Sequence, residues 1–165
     1  MDVARLAGRE LTVLWLVVMT AVVFPVPAAR LQERHSFAGV WNANLSKSRL
    51  HENHQFKSAK LKFEIADDVV TITFSGTNMA GKEESGTRKV HPDGKEHPVV
   101  EAPGLIEMTK WVGTHRLETT IWKGGEVHGQ SLYEVSSDEK TLTATLKGVD
   151  GKGRPFEQVI VFERE

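Results

Sequence analysis

The 165-residue sequence predicts an all-β protein: an antiparallel up-and-down meander closed into a barrel of about 8–10 strands, with a short helix or lid near 45–55. Three observations predict it. Short alternating or β-branched segments follow one another through tight turn signals. No convincing amphipathic helix separates them. The first segment opens with Phe37-Ala38-Gly39-Val40-Trp41-Asn42, where glycine permits a sharp bend and tryptophan is large enough to plug the narrow end of a barrel. A meander of this many strands removes its exposed edges by closing on itself, which favours a barrel over an open sheet.

Ahead of the strands, Leu11 to Phe24 is almost continuously apolar, preceded by Arg5 and Arg9 and followed by Pro25-Val26-Pro27-Ala28-Ala29. A bilayer span needs about 20 residues. The run is short for that, and its basic start and small-residue exit describe a cleavable export signal over 1–29. An uncleaved N-terminal anchor is the alternative. Cleavage leaves one domain, 30–165, expected to be secreted or periplasmic, monomeric and without stable insertion in a membrane. There is no cysteine, so the core and the β-ladder alone must hold an exported domain. With 21 basic and 22 acidic residues the chain is close to neutral. That excludes the basic excess a nucleic-acid binder needs and leaves no polybasic run for an acidic membrane. A small neutral or weakly charged partner is expected.

Along the domain, residues 30–36 form an extended lead-in to the Gly39-x-Trp41 segment. Leu45 to Gln55 has no strand pattern and is the one place for a helix or lid. Leu61, Phe63 and Ile65 alternate with Lys60, Lys62 and Glu64. Asp67-Asp68 turns into Val69–Phe74, and Asn78–Lys82 turns into Glu84–Val90. His91-Pro92-Asp93-Gly94-Lys95 is a strong turn signal, while Pro98 and Pro103-Gly104 keep the next segment short or at an edge. Leu105–Val112 and His115–Lys123 read as a hairpin around Gly113-Thr114. A two-residue loop sets Met108 opposite Thr119 and Ile106 opposite Ile121 on an apolar, inward face. Glu107, Thr109, Glu118 and Thr120 then face outward, with Trp111 and Trp122 at the ends. Gly124-Gly125, Ser136–Lys140 and Asp150–Gly153 separate the last three segments, Val127–Val135, Thr141–Val149 and Phe156–Arg164.

Two anchors then carry a family resemblance: Phe37-x-Gly39-x-Trp41 at the first strand, and Val161-Phe162-Glu163-Arg164 at the end of the last. With Ala144-Thr145-Leu146-Lys147-Gly148-Val149 before the latter, the chain resembles the calycin superfamily, the lipocalins and fatty-acid-binding proteins, and in particular small exported bacterial lipocalin-like proteins. The resemblance spans nearly all of 30–165 and implies a structural lock of Gly39, Trp41 and Arg164, with the guanidinium stacked on the indole. It also shows a departure. Fatty-acid-binding proteins hold a carboxylate through an Arg-x-Tyr in the last strand, where this chain has Ile160-Val161-Phe162. A neutral apolar ligand is therefore easier to accommodate than an acid.

The remaining chemistry is sparse. Seven histidines are present. His51 and His54 share a helical spacing, and His91 and His97 flank a turn, but neither pair reaches the three or four converging ligands of a tight metal site. No metal and no cofactor are expected. No catalytic residue is assigned, since no nucleophile motif occurs. Glu107, Glu118 and Arg116 form a possible acid–base cluster whose simpler reading is a solvated outer face. The expected role is exported binding of a small apolar ligand. Its cavity would be lined by Phe63, Ile65, Ile72 and Phe74 early in the chain, Met108, Leu117, Ile121 and Tyr133 in the middle, and Ile160 and Phe162 at the end. Arg88, Thr119 and Tyr133 are the polar groups offered for specificity. An isomerase or hydrolase on the same barrel, and a solid barrel that serves structure or protein interaction, remain the alternatives.

Overall fold

Among the described residues, alternation along each segment builds ten strands, preceded by a 3-10 turn, His35–Phe37. The strands are β1 (Gly39–Arg49), β2 (Phe56–Ala66), β3 (Val69–Asn78), β4 (Glu83–Val90), β5 (Asp93–Pro98), β6 (Leu105–Trp111), β7 (Arg116–Lys123), β8 (Glu126–Val135), β9 (Thr141–Val149) and β10 (Pro155–Arg164). This computed structural model describes residues 35–52, 56–150 and 152–165. The leader over 1–29 and His54 lie outside the described residues.

All ten strands form one antiparallel sheet in the order β4-β3-β2-β1-β10-β9-β8-β7-β6-β5. Apart from β4 and β5, each strand neighbours its predecessor and successor, and the first strand pairs with the last, as a closed meander requires. The ladder stops at one place. β4 and β5 are the two sheet edges, yet they follow one another through His91-Pro92. Side chains cross this seam instead. Arg88 of β4 forms an ion pair with Glu107 of β6, and the rings of His91 and His97 stack with centroids 4.9 Å apart. Pro98 ends the edge strand β5, where its missing N–H costs no ladder bond.

Two expectations are corrected. Leu45 to Arg49 is neither helix nor lid but the end of β1. Between Asn44 and Arg49, β1 carries extra residues against β10, so Asn44 faces Val161 while Arg49 faces Val159. Polar side chains replace the lost ladder bonds: Ser48 Oγ donates to the Asn44 carbonyl at 2.7 Å and accepts from the Val161 N–H at 2.9 Å. The second correction is register. The turn between β6 and β7 is closed by the Val112 N–H donating to the Arg116 carbonyl at 3.0 Å, so it holds three residues, 113–115, not two. Met108 therefore faces Thr120, Thr109 faces Thr119, and Glu107 faces Ile121. A one-residue slip turns every side chain to the other face. Ile106 and Met108 lie on the outside, Ile106 with 43 % of its surface exposed. Glu107, Thr109 and Trp111 point in, with Thr109 and Thr119 hydroxyls 2.9 Å apart in the core. Trp122, opposite Ile106, stays on the outer face.

The core is densest at one end. Antiparallel alternation brings the start of β1, β3, β7 and β9 and the finish of β2, β4, β6, β8 and β10 together there. Phe37, Trp41, Phe63, Val70, Val90, Leu117, Val135, Leu142 and Phe162 fill it. Trp41 is fully buried. Its indole N–H donates to the Phe37 carbonyl at 3.0 Å, and the Arg164 guanidinium lies 4.1 Å from its ring centroid. Arg164 also donates to the carbonyls of Glu139 at 2.7 Å, Ala38 at 2.9 Å and Ser36. Gly39 makes room for this clamp. Its φ is +129°, and a Cβ there would sit 3.0 Å from Arg164 Nη1. The end residues of the chain's first and last strands are thus locked by one cation, as the family resemblance implies.

Candidate functional site

Above the packed end the inward residues become smaller, and a cavity of about 510 Å³ opens. Ala59 on β2, Gly86 on β4 and Ala144 on β9 occupy inward positions where larger residues would meet in the middle. Their neighbours across the ladder supply the apolar wall. Phe74 faces Gly86, and Ala144 lies between Tyr133 and Ile160. Leu61, Ile72, Ile121, Leu146 and Phe162 complete it, with Phe56 and Val99 nearer the mouth. The edge of Phe63 against the Tyr133 ring, centroids 5.4 Å apart, forms part of the floor.

Five polar residues interrupt this wall: Thr87, Arg88, Glu101, Tyr133 and Gln158. Arg88 is the one cation among them. Strand alternation places it beside Ile72, its partner on β3, with its head directed across the seam to Glu107. The Glu107 side chain is only 7 % exposed, whereas that of Arg88 keeps 34 %. Desolvation by burial lowers the Arg88 pKa, opposed by the fields of Tyr133 and Glu101; a guanidinium remains charged regardless. Burial raises the pKa of Tyr133, against a smaller opposing effect of Arg88. Tyr133 therefore faces the cavity as a neutral donor at ordinary pH.

Of the residues expected from the sequence, Ile72, Phe74, Arg88, Ile121, Tyr133, Ile160 and Phe162 lie on this wall. Phe63 and Leu117 are inward but below it, sealed in the packed end. Ile65 packs against that same cluster. Thr119 is buried and bonded to Thr109. Met108 is a correction: the longer β6–β7 loop puts it on the outer surface. The acid–base cluster also divides. Glu118 and Arg116 are outside, paired with Lys110 at 3.5 Å and Glu134 at 2.7 Å. Glu107 is inside, contrary to the solvated-face reading.

Sequence reasoning missed Ala59, Leu61, Ala144, Leu146 and Gln158 as lining residues, although parity with Phe63 on β2, alternation along β9 and parity with Phe162 on β10 would have found them. Glu107 had no such signal. None of the described histidines lines the cavity, and among the described residues no group of three or more His, Asp or Glu side chains is placed to hold a metal. Chemically the site is an apolar container whose wall carries the Tyr133 phenol, the Glu101 carboxylate and Arg88, the last paired with Glu107.

No protein-family model matches the chain, and no curated protein matches it by sequence. Solved structures do match. The chain is similar to the fluorescent protein UnaG, at 17 % identity and a TM-score of 0.54, over 79 % of this chain and 98 % of that one. It is also similar to the zebrafish ileal bile acid-binding protein complexed with cholic acid, at 15 % identity and a TM-score of 0.50, over 79 % and 99 % of the two chains.

Proposed function

We propose that this chain, a β-barrel with the calycin fold, binds a small apolar molecule in its central cavity and is exported to do so. One observation carries the reading: a cavity of about 510 Å³ with mostly apolar walls and a few convergent polar groups. That volume lies within the usual range for small-molecule sites. It argues against a solid structural barrel, whose inward side chains would fill the space. Affinity would come mainly from apolar area removed from water, at about 25 cal/mol per Å² before the costs of association. The likeness to a bile acid-binding protein supports a ligand-holding role at the level of the fold. Export is supported by the composition of 1–29.

Native mass spectrometry of the protein purified from its own host tests both parts. The expected result is a chain lacking its leader, with a co-purified nonpolar ligand or, after organic extraction, one binding site for an apolar fluorescent dye. Clean protein that binds no dye would overturn the binding role. A full-length chain retaining residues 1–29 would overturn the export reading alone.

A further inference from the structure

We propose that the cavity selects a neutral ligand, an apolar body bearing a hydrogen-bond-accepting oxygen such as an alcohol or ketone, and that Glu107 is the residue that rejects carboxylates. The inference rests on the binding role proposed above and assigns its ligand class. A lone guanidinium in an apolar wall would ordinarily invite an anion. Here the anion is already built in. Glu107 reaches Arg88 from β6 across the seam and is almost fully buried, so the pair presents no net charge to the cavity. Glu101, on the loop between β5 and β6, puts a further carboxylate on the lining. An incoming carboxylate would be the third anion around one cation, and like charges repel.

Among the described residues no second cation lines the cavity to offset this. The inward residues of β10 on the cavity wall are Gln158, Ile160 and Phe162, and the others lining the site are neutral apart from Glu101. A neutral oxygen meets no such penalty. Its hydrogen-bond donors would be Arg88, whose side chain keeps 34 % of its surface exposed, and the Tyr133 hydroxyl on the same wall. Both donors line the same cavity. Glu107 thus acts as a specificity residue: it neutralises Arg88 before the ligand arrives.

A matched pair of probes tests this on the leaderless protein. A long-chain saturated alcohol and the fatty acid of the same length compete against a bound apolar dye, at a pH where the acid is ionised. The wild type is expected to bind the alcohol about tenfold tighter or better. Glu107→Gln removes the charge but keeps an amide for the guanidinium, and should bring the acid to parity or beyond. Arg116→Ala, on the outer face beside Glu134, should leave the ratio as in the wild type. A wild type that binds the acid as tightly as the alcohol, or a ratio unmoved by Glu107→Gln, overturns the proposal while dye binding stands. A wild type that takes up no dye at all overturns the binding role, and this inference with it. Should Glu107→Gln fail to fold, the wild-type ratio decides.

Discussion

The two ends of the barrel use the same architecture for opposite purposes. At the closed end, inward positions carry Trp41, Phe37, Phe63, Leu117 and Leu142, all with almost no exposed surface. Arg164 ties that end to three backbone carbonyls. At the open end the same strands carry Ala59, Gly86 and Ala144, and the one cation is matched by one anion across an unladdered seam. The strands run unbroken from one half to the other apart from local bulges such as that at the end of β1; side-chain size and the placement of polar groups set the halves apart. Stability and binding are therefore separable by residue in this fold, and mutations should sort by which end they touch.

The largest expected effect is at the closed end. Trp41→Ala should cost about 3–5 kcal/mol in urea unfolding, the usual range for emptying a buried aromatic site. A loss below about 1 kcal/mol would erase the distinction between the ends. Next is Gly39→Ala, which forces a side chain into a left-handed conformation and against Arg164. It should cost about 1–3 kcal/mol without altering dye affinity.

At the open end the pattern reverses. A side chain added at Gly86 meets no atom within 4 Å, and its backbone φ is unremarkable for any L-residue. Gly86→Phe should change stability by under about 1 kcal/mol yet lower dye affinity tenfold or more by occupying the cavity. If it unfolds the protein instead, the upper half is not spare volume. The smallest effect is spectroscopic. The chain has a single tyrosine, so phenolate absorbance reports Tyr133 alone. Its midpoint should lie above the ordinary value of about 10 in the folded protein and return to it in urea. A raised folded pKa contributes stability below the unfolded value and loses it as pH climbs through the folded one. The effect is thus confined to strongly alkaline solution.

Much of this was readable in the chain. The Leu61/Phe63/Ile65 alternation, the turn at Asp67-Asp68 and the two end anchors favour the closed meander, and the Trp41–Arg164 stack is what the family resemblance implies. The cavity was legible wherever a strand has one clearly apolar face, as on β3 and β10. β6 has no such face. Leu105, Glu107, Thr109 and Trp111 mix polar with apolar on one side, while Ile106 and Met108 mark the other as apolar. Periodicity alone therefore chose the wrong side. What makes Glu107 an inward residue is Arg88, a partner on a strand not hydrogen-bonded to β6. A buried carboxylate is tolerable only when paired, and pairing across a seam leaves no trace in local pattern. The end of β1 was hidden for a similar reason: its bulge is satisfied by the Ser48 hydroxyl, bonded to the Asn44 carbonyl and the Val161 N–H, in a stretch that reads locally as a polar loop.

The joining of β1 to β10 also has a temporal side. Ala38 and Arg164 are 126 positions apart, and β1 gains its second neighbour only once β10 exists. As the chain is made, β2 to β4 can dock in succession while β1 waits with one flank bare. The final ladder and the cation at the indole then arrive together, as a late step dominated by distant contacts. Such a vessel is sealed in one event, and until that moment its unfinished flank is the part that most needs protection from other chains.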